Sequence, residues 1–137
     1  MIVTARLTFS AAHRLNNPNR DPEWNRRTYD KCDNPAGHGH NYVLTVSVRG
    51  KIDPETGMVI DLKRLKDIVR EQVIDRVDHT NLNEDVDFLR GVIPTAENLA
   101  RSFWQQLAPA MDEGSLFEVA LQETEKNSVV YRGEDEE

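Results

Sequence analysis

Two stretches of alternating residues bound what this chain can fold into, and each carries histidine at one end. Val3, Ala5, Leu7 and Phe9 alternate with Ile2, Thr4, Arg6 and Thr8, and Tyr42, Leu44, Val46 and Val48 with Asn41, Thr45, Ser47 and Arg49. A period of two with one apolar face marks half-buried strands. His13 has the parity of the first apolar set, and His38 and His40 have that of the second. If the strands pair antiparallel, the end of one lies beside the start of the other. The three imidazoles then converge at the rim of one covered face. Three neutral nitrogen donors with a fourth position open is the ligand set of a catalytic zinc, although imidazole also suits iron and copper. Gly37 and Gly39 flank the pair and leave room for close approach to a ligand.

The first strand is expected to run to about Ala12, and the second from about His40 to Arg49. Between them lies a polar connection from Arg14 to Gly37, holding three of the six prolines, Trp24 and the only cysteine. Connections longer than about 12–15 residues are functional or disordered more often than not, and the histidines at its end favour function. Asp53-Pro54-Glu55-Thr56-Gly57 reads as a turn. Asp61 caps a helix with Leu62, Leu65, Ile68, Val69, Val73 and Val77 at three-and-four spacing, which stops near Asp78-His79-Thr80-Asn81-Leu82-Asn83. Thr95 caps a second helix carrying Leu99, Phe103, Trp104 and Leu107, ended by Pro109. Phe117, Val119 and Leu121 form a third strand, and after a turn at Glu125-Lys126-Asn127 a fourth runs through Ser128–Tyr131. The order ββααββ predicts an α+β fold, a four-stranded antiparallel sheet with two helices on one face. Its outer edges are unpaired and invite other copies of the chain.

The 137 residues suit one domain, 1–133, followed by an acidic tail, 134–137. Four of the charges in the net −7 belong to that tail, and no clustered basic excess marks a nucleic-acid partner. No signal peptide and no apolar run long enough for a membrane span are read. One cysteine makes no internal disulfide, and a reducing cytoplasm is the expected location.

Other residues could carry chemistry. Cys32 is either a fourth ligand that closes the metal site or a free thiol whose lowered pKa lets it take a proton. Asp78-His79 is either a helix end answering the dipole or a carboxylate orienting an imidazole for proton transfer. The second reading needs an irregular backbone, because adjacent residues seldom face each other. Glu123, at a strand end, is solvated by default but could accept two hydrogen bonds from an N–C–N edge such as guanine or pterin presents. Arg14, Arg20, Arg26, Arg27 and Lys31 outnumber Asp21, Glu23 and Asp30 by two. That excess could meet an anionic substrate, or be no more than a solvated loop.

Phe9-Ser10-Ala11-Ala12-His13-Arg14-Leu15, Cys32-Asp33-Asn34-Pro35-Ala36-Gly37-His38-Gly39-His40-Asn41-Tyr42, Asp78-His79-Thr80-Asn81-Leu82-Asn83, Pro94-Thr95-Ala96-Glu97-Asn98 and Gln122-Glu123-Thr124 together resemble the 6-pyruvoyl-tetrahydropterin synthase family. The resemblance spans Ile2 to about Gly133. It implies the tunnelling fold (T-fold), in which three subunits close a barrel and two trimers stack into a hexamer. It implies Zn²⁺ on His13, His38 and His40, a proton-transfer set of Cys32, Asp78 and His79, and Glu123 on the pterin, with Thr95 and Glu97 contributing from a neighbouring subunit. The implied reaction converts 7,8-dihydroneopterin triphosphate to 6-pyruvoyl-tetrahydropterin with loss of triphosphate, a lyase step. The alternative is 6-carboxy-tetrahydropterin synthase of queuosine biosynthesis, which takes the same substrate and releases acetaldehyde. Five residues between Cys32 and His38 favour the pyruvoyl enzyme, whereas Ala96 stands where such enzymes often carry a second threonine. A zinc-dependent binding module without turnover would have no need of a lone thiol in a polar loop.

Overall fold

The computed structural model describes residues 1–134, so the expected tail lies, apart from Glu134, outside the described residues. Strands β1 (Ile2–His13) and β2 (His38–Arg49) pair antiparallel along their whole length, from Ile2 opposite Arg49 to His13 opposite His38. A two-residue strand, β3 (Thr80–Asn81), lies parallel to β1 beside Ala11 and Ala12. β4 (Ser115–Thr124) pairs antiparallel with β2, and β5 (Asn127–Tyr131) with β4. The sheet order is β3-β1-β2-β4-β5. The sheet is therefore mixed and five-stranded, which corrects the four-stranded antiparallel expectation. Two residues are too few for alternation to register in a sequence.

The long connection also holds more than expected. It contains helix α1 (Pro22–Tyr29), with Asp21 Oδ1 accepting from the Trp24 amide at 2.7 Å, then a 3₁₀ turn (Asp30–Asp33). A capping aspartate followed by proline is a helix-start signal. Periodicity does not mark it, because α1 buries only Asn25 and has no apolar stripe. Helix α2 (Leu62–Val69) continues through a π turn (Arg70–Ile74) into Asp75–Val77, and α3 (Ala96–Leu107) starts at its Thr95 cap.

The core forms between α2, α3 and one sheet face. Leu65, Ile68, Val69, Leu99, Phe103 and Leu107 cover Leu7, Phe9, Tyr42, Leu44, Val46, Val119 and Leu121. Thr4, Arg6 and Thr8 on the other face are exposed. Phe9 stacks on Tyr42 with centroids 4.7 Å apart and meets Phe103 edge-on at 5.9 Å. Among the described residues, no helix is long and apolar enough to cross a membrane.

After Val77 the chain grips β1. Asp78 Oδ1 accepts from the Ser10 amide at 2.9 Å, and Ser10 O accepts from the His79 amide at 2.6 Å. His79 itself has φ +59°, a left-handed conformation uncommon outside glycine. That turn swings its ring back to within 3.0 Å of Asp78 Oδ1, which supplies the irregular backbone the adjacent pair requires. The Ser10 amide holds the Asp78 carboxyl below the usual carboxylate range, with His79 adding to the effect.

Two outcomes test this packing. Phe9→Ala should lower unfolding stability by about 3–5 kcal/mol, read from urea denaturation, because a stacked aromatic leaves a cavity. The Asp78 shift is downward, so its stabilisation is present above the unfolded pKa of about 4 and is lost as pH falls through the lower folded value. The stability gap between wild type and Asp78→Asn should thus stay level from about pH 6 to 5 and shrink below about pH 4.

Candidate active site

Strand pairing delivers the histidines as a triangle. His13 and His38 face each other across β1 and β2, and His40 sits two residues on, opposite Ala11. Their ring centroids lie 4.8, 5.0 and 4.8 Å apart, and one donor atom from each falls within 4.8 Å of the others. His13 Nε2 and His38 Nε2 are separated by 3.2 Å. Two nitrogens bound tetrahedrally to zinc at 2.0–2.1 Å would be about 3.4 Å apart. Gly37 makes the pairing possible: its φ is +72°, and a Cβ there would stand 3.0 Å from His13 O. Gly39 has ordinary room, so only one of the flanking glycines is required sterically.

His13 is fully buried, and its Nδ1 donates to Pro94 O at 2.8 Å. That bond fixes the tautomer and leaves Nε2 with its lone pair facing the cluster. Burial lowers the pKa of His13 and of His40, keeping both neutral, as metal binding requires. His40 Nε2 is buried with no hydrogen-bond partner, and the nearest carboxylate oxygen, Glu123 Oε1, is 3.8 Å away. An orphaned polar atom of this kind costs free energy, and a cation at the centre of the triangle would remove that cost. The donor set therefore fits a metal ion.

Glu123 owes its position to a bulge, since the β4–β5 register shifts between Gln122 and Thr124. Bulges re-aim side chains at functional sites. Its charge opposes the burial effect at His13 and His40 and adds to it at Cys32 and Tyr42. Tyr42 OH lies 3.4 Å from His13 Nδ1, and its phenol is pushed well above the ordinary range by burial.

Cys32 Sγ is not part of the donor cluster, which among the described residues comprises the three histidines alone. Burial pushes its thiol up, and Glu123 and Asp30 push in the same direction. The segment is tied to the end of the strand that carries His13. Cys32 O accepts from the Leu15 amide at 2.8 Å, and Arg14 reaches Asp33 O and Oδ1 at 2.9 and 3.0 Å.

His79 is well exposed and lines an open cavity of about 430 Å³ with His40, Ser10, Asn41 and Thr80. Thr95 Oγ1 is occupied as the α3 cap, accepting from the Asn98 amide at 3.2 Å, and stands next to the Pro94 carbonyl that orients His13. Glu97 is exposed on the first turn of α3. The chain thus gathers His13, His38, His40 and Glu123, sets His79 across one cavity from His40, and leaves Glu97 apart. Sequence reasoning missed Pro94, whose carbonyl carries no side-chain signal, and Tyr42, whose parity with His40 was visible.

Residues 2–134 match the family model described as 6-pyruvoyl tetrahydropterin synthase. The 6-pyruvoyl tetrahydrobiopterin synthase of Poecilia reticulata is 47% identical, over 96% of this chain and 90% of that protein. The Homo sapiens protein of that name is 44% identical, over 96% and 91%. The solved structure of Caenorhabditis elegans 6-pyruvoyl tetrahydropterin synthase superposes with a TM-score of 0.89 at 42% identity, covering 98% of this chain and 97% of that one. With that fold, that identity and the histidine triangle in place, the chain belongs to the 6-pyruvoyl tetrahydropterin synthase family.

Proposed function

We propose that this chain is a zinc-dependent 6-pyruvoyl tetrahydropterin synthase, a lyase converting 7,8-dihydroneopterin triphosphate to 6-pyruvoyl-tetrahydropterin and triphosphate. The observation that carries the reading is the histidine triangle with buried His13 and the unpartnered His40 Nε2, beside Glu123 and with His79 lining the same cavity as His40. His13, His38 and His40 would hold the ion. When bound, zinc supplies Lewis acidity toward the hydroxyl oxygens of the substrate side chain, which makes the protons on their carbons more acidic.

The residues of the chain do the rest. Glu123 accepts two hydrogen bonds from the pterin N–C–N edge, with Thr95 and Glu97 of a neighbouring copy completing that pocket. Cys32 removes a carbon-bound proton as a thiolate, and His79, oriented by Asp78, relays protons as the intermediate tautomerises. Triphosphate departs with the electron pair of its C–O bond, and the enol left behind becomes the diketone. Oxidation and reduction occur within the substrate, so the balance needs no external electron carrier. The raised thiol pKa in the bare chain means that Cys32 depends on positive charge nearby to act as base.

Among the described residues, the Ile2–Ser10 part of β1 has no strand partner outside β2, and β5 pairs only with β4, which leaves two sheet edges open. Ile2 and Val130 on those edges are exposed apolar residues. Three copies joined edge to edge, and two such rings stacked, would cover them. The cell location that fits this chemistry is the cytoplasm, and residues 1–133 act as one domain.

Incubation of the pure, zinc-loaded protein with 7,8-dihydroneopterin triphosphate should yield the 6-pyruvoyl product and triphosphate without acetaldehyde. Acetaldehyde as the main product would overturn the reading in favour of the 6-carboxy enzyme. Cys32→Ala should keep its zinc, by elemental analysis, while kcat falls about 100-fold or more. Loss of zinc on that substitution would make the cysteine a ligand. In His40→Ala the zinc content should drop well below one per chain in the same measurement, because two imidazoles bind far more weakly than three.

A further inference from the structure

Resting on that reading, we infer that the cavity walled by the Arg14–Gly37 connection seats the phosphate chain of the substrate, held by Arg20, Arg26 and Lys31. The cavity measures about 510 Å³ and is lined by these three with Arg14, Asp30 and Asp33 among others. It adjoins a second cavity of about 310 Å³, sharing Arg14 and Pro35, which reaches Gly37 and Ile93. Arg14 directly follows the ligand His13, and Gly37 directly precedes the ligand His38. Both cavities thus border the segments that carry His13 and His38, and neither is lined by a histidine of the triangle itself.

The charges there are unspent. The protein as a whole is acidic, at −7, so carboxylates are available to neutralise surface cations. Yet Asp33 is committed to Arg14 at 3.0 Å, and Asp21 to the cap of α1. Arg20, Arg26 and Lys31 make no ion pair among the described residues, and Asp30 is the one other acid on the wall. A merely solvated loop in an acidic protein has no reason to divert its acids in this way.

The frame is also built rather than loose. Asn25 is almost fully buried, donates to Asn17 O, Arg20 O and Asp21 O, and accepts from the Asn17 amide. The Arg20 guanidinium lies over the Trp24 ring at 4.7 Å, and Trp24 meets Tyr29 edge-on at 5.9 Å. Arginine forks held in advance suit phosphate oxygens and lose little freedom on binding.

The test uses full-length, zinc-loaded protein and inorganic tripolyphosphate, measured by calorimetry and as an inhibitor of turnover. The double substitution Arg20→Gln with Arg26→Gln should weaken tripolyphosphate about tenfold and raise KM for the triphosphate substrate by a similar factor, with kcat within about twofold. Inhibition by 7,8-dihydroneopterin, which has no phosphates, should stay unchanged. Arg27→Gln removes a charge from the same helix but not from the cavity wall, and should shift these values less than about twofold. Any chelation of zinc by the probe is common to all the proteins and cancels in the comparison. Lys31→Gln gives an independent variant of the same sign. If wild type turns over substrate while the double variant matches it in KM and tripolyphosphate affinity, the inference falls and the proposed function stands. If wild type shows no turnover, the proposed function falls, and calorimetry with the same variants still decides whether this wall binds the phosphate chain.

Discussion

The site depends on one alignment, His13 opposite His38 in the β1–β2 ladder. Side chains on a strand alternate faces, so a one-residue slip would send every ligand to the solvent face together with the apolar set it belongs to. The histidines share parity with Phe9 and Leu7 on one strand and with Tyr42 and Leu44 on the other. Burial of those residues under α2 and α3 therefore sets the geometry of the three histidines as a by-product of making the core. Each buried aliphatic or aromatic side chain contributes about 1.5–3 kcal/mol to holding the register, so several together outweigh the roughly 1–3 kcal/mol that the orphaned His40 nitrogen costs. The ligand triangle is thus formed by forces that do not involve a ligand.

Electrostatics at the site run in two directions. Burial makes charge expensive and keeps His13 and His40 neutral, while Glu123, brought in by a strand bulge, adds the opposite pull. The same carboxylate and the same burial keep the Cys32 thiol protonated. A group of this kind becomes a base only when a cation compensates the local negative charge. On the proposed reading, binding of an ion and activation of the thiol would then be one coupled event rather than two separate properties.

How much of this was legible follows from which parts of the chain speak through periodicity. β1, β2 and the two long helices declare themselves by alternation or three-and-four spacing, and the ligands by parity with their neighbours. α1 was hidden because Asn25 is its only buried residue, although Asp21 and Pro22 marked its start. β3 is two residues long and has no pattern of its own. The Pro94 carbonyl that sets the His13 tautomer is backbone, so no residue type could announce it. The reverse turn at His79 was anticipated only as a requirement, and φ +59° at a non-glycine residue is how the chain meets it.

The exposure of the dyad gives the last constraint. The His79 side chain is 82% exposed and that of Asp78 37%, whereas His13 is 1% exposed. An imidazole in open water exchanges its proton with solvent as readily as with a substrate, and hydrogen bonds there are screened. Proton relay along a defined path needs that side of the cavity covered. The described residues leave His79 open, so under the proposed relay the cover would come from outside this single chain. Asp78 and His79 grip β1 at Ser10, next to the stretch of strand whose outer edge is also open. The ring of copies proposed for the sheet edges would therefore place a neighbour beside the half of the site that one chain leaves in water, so edge pairing and catalysis would impose the same requirement on the assembly.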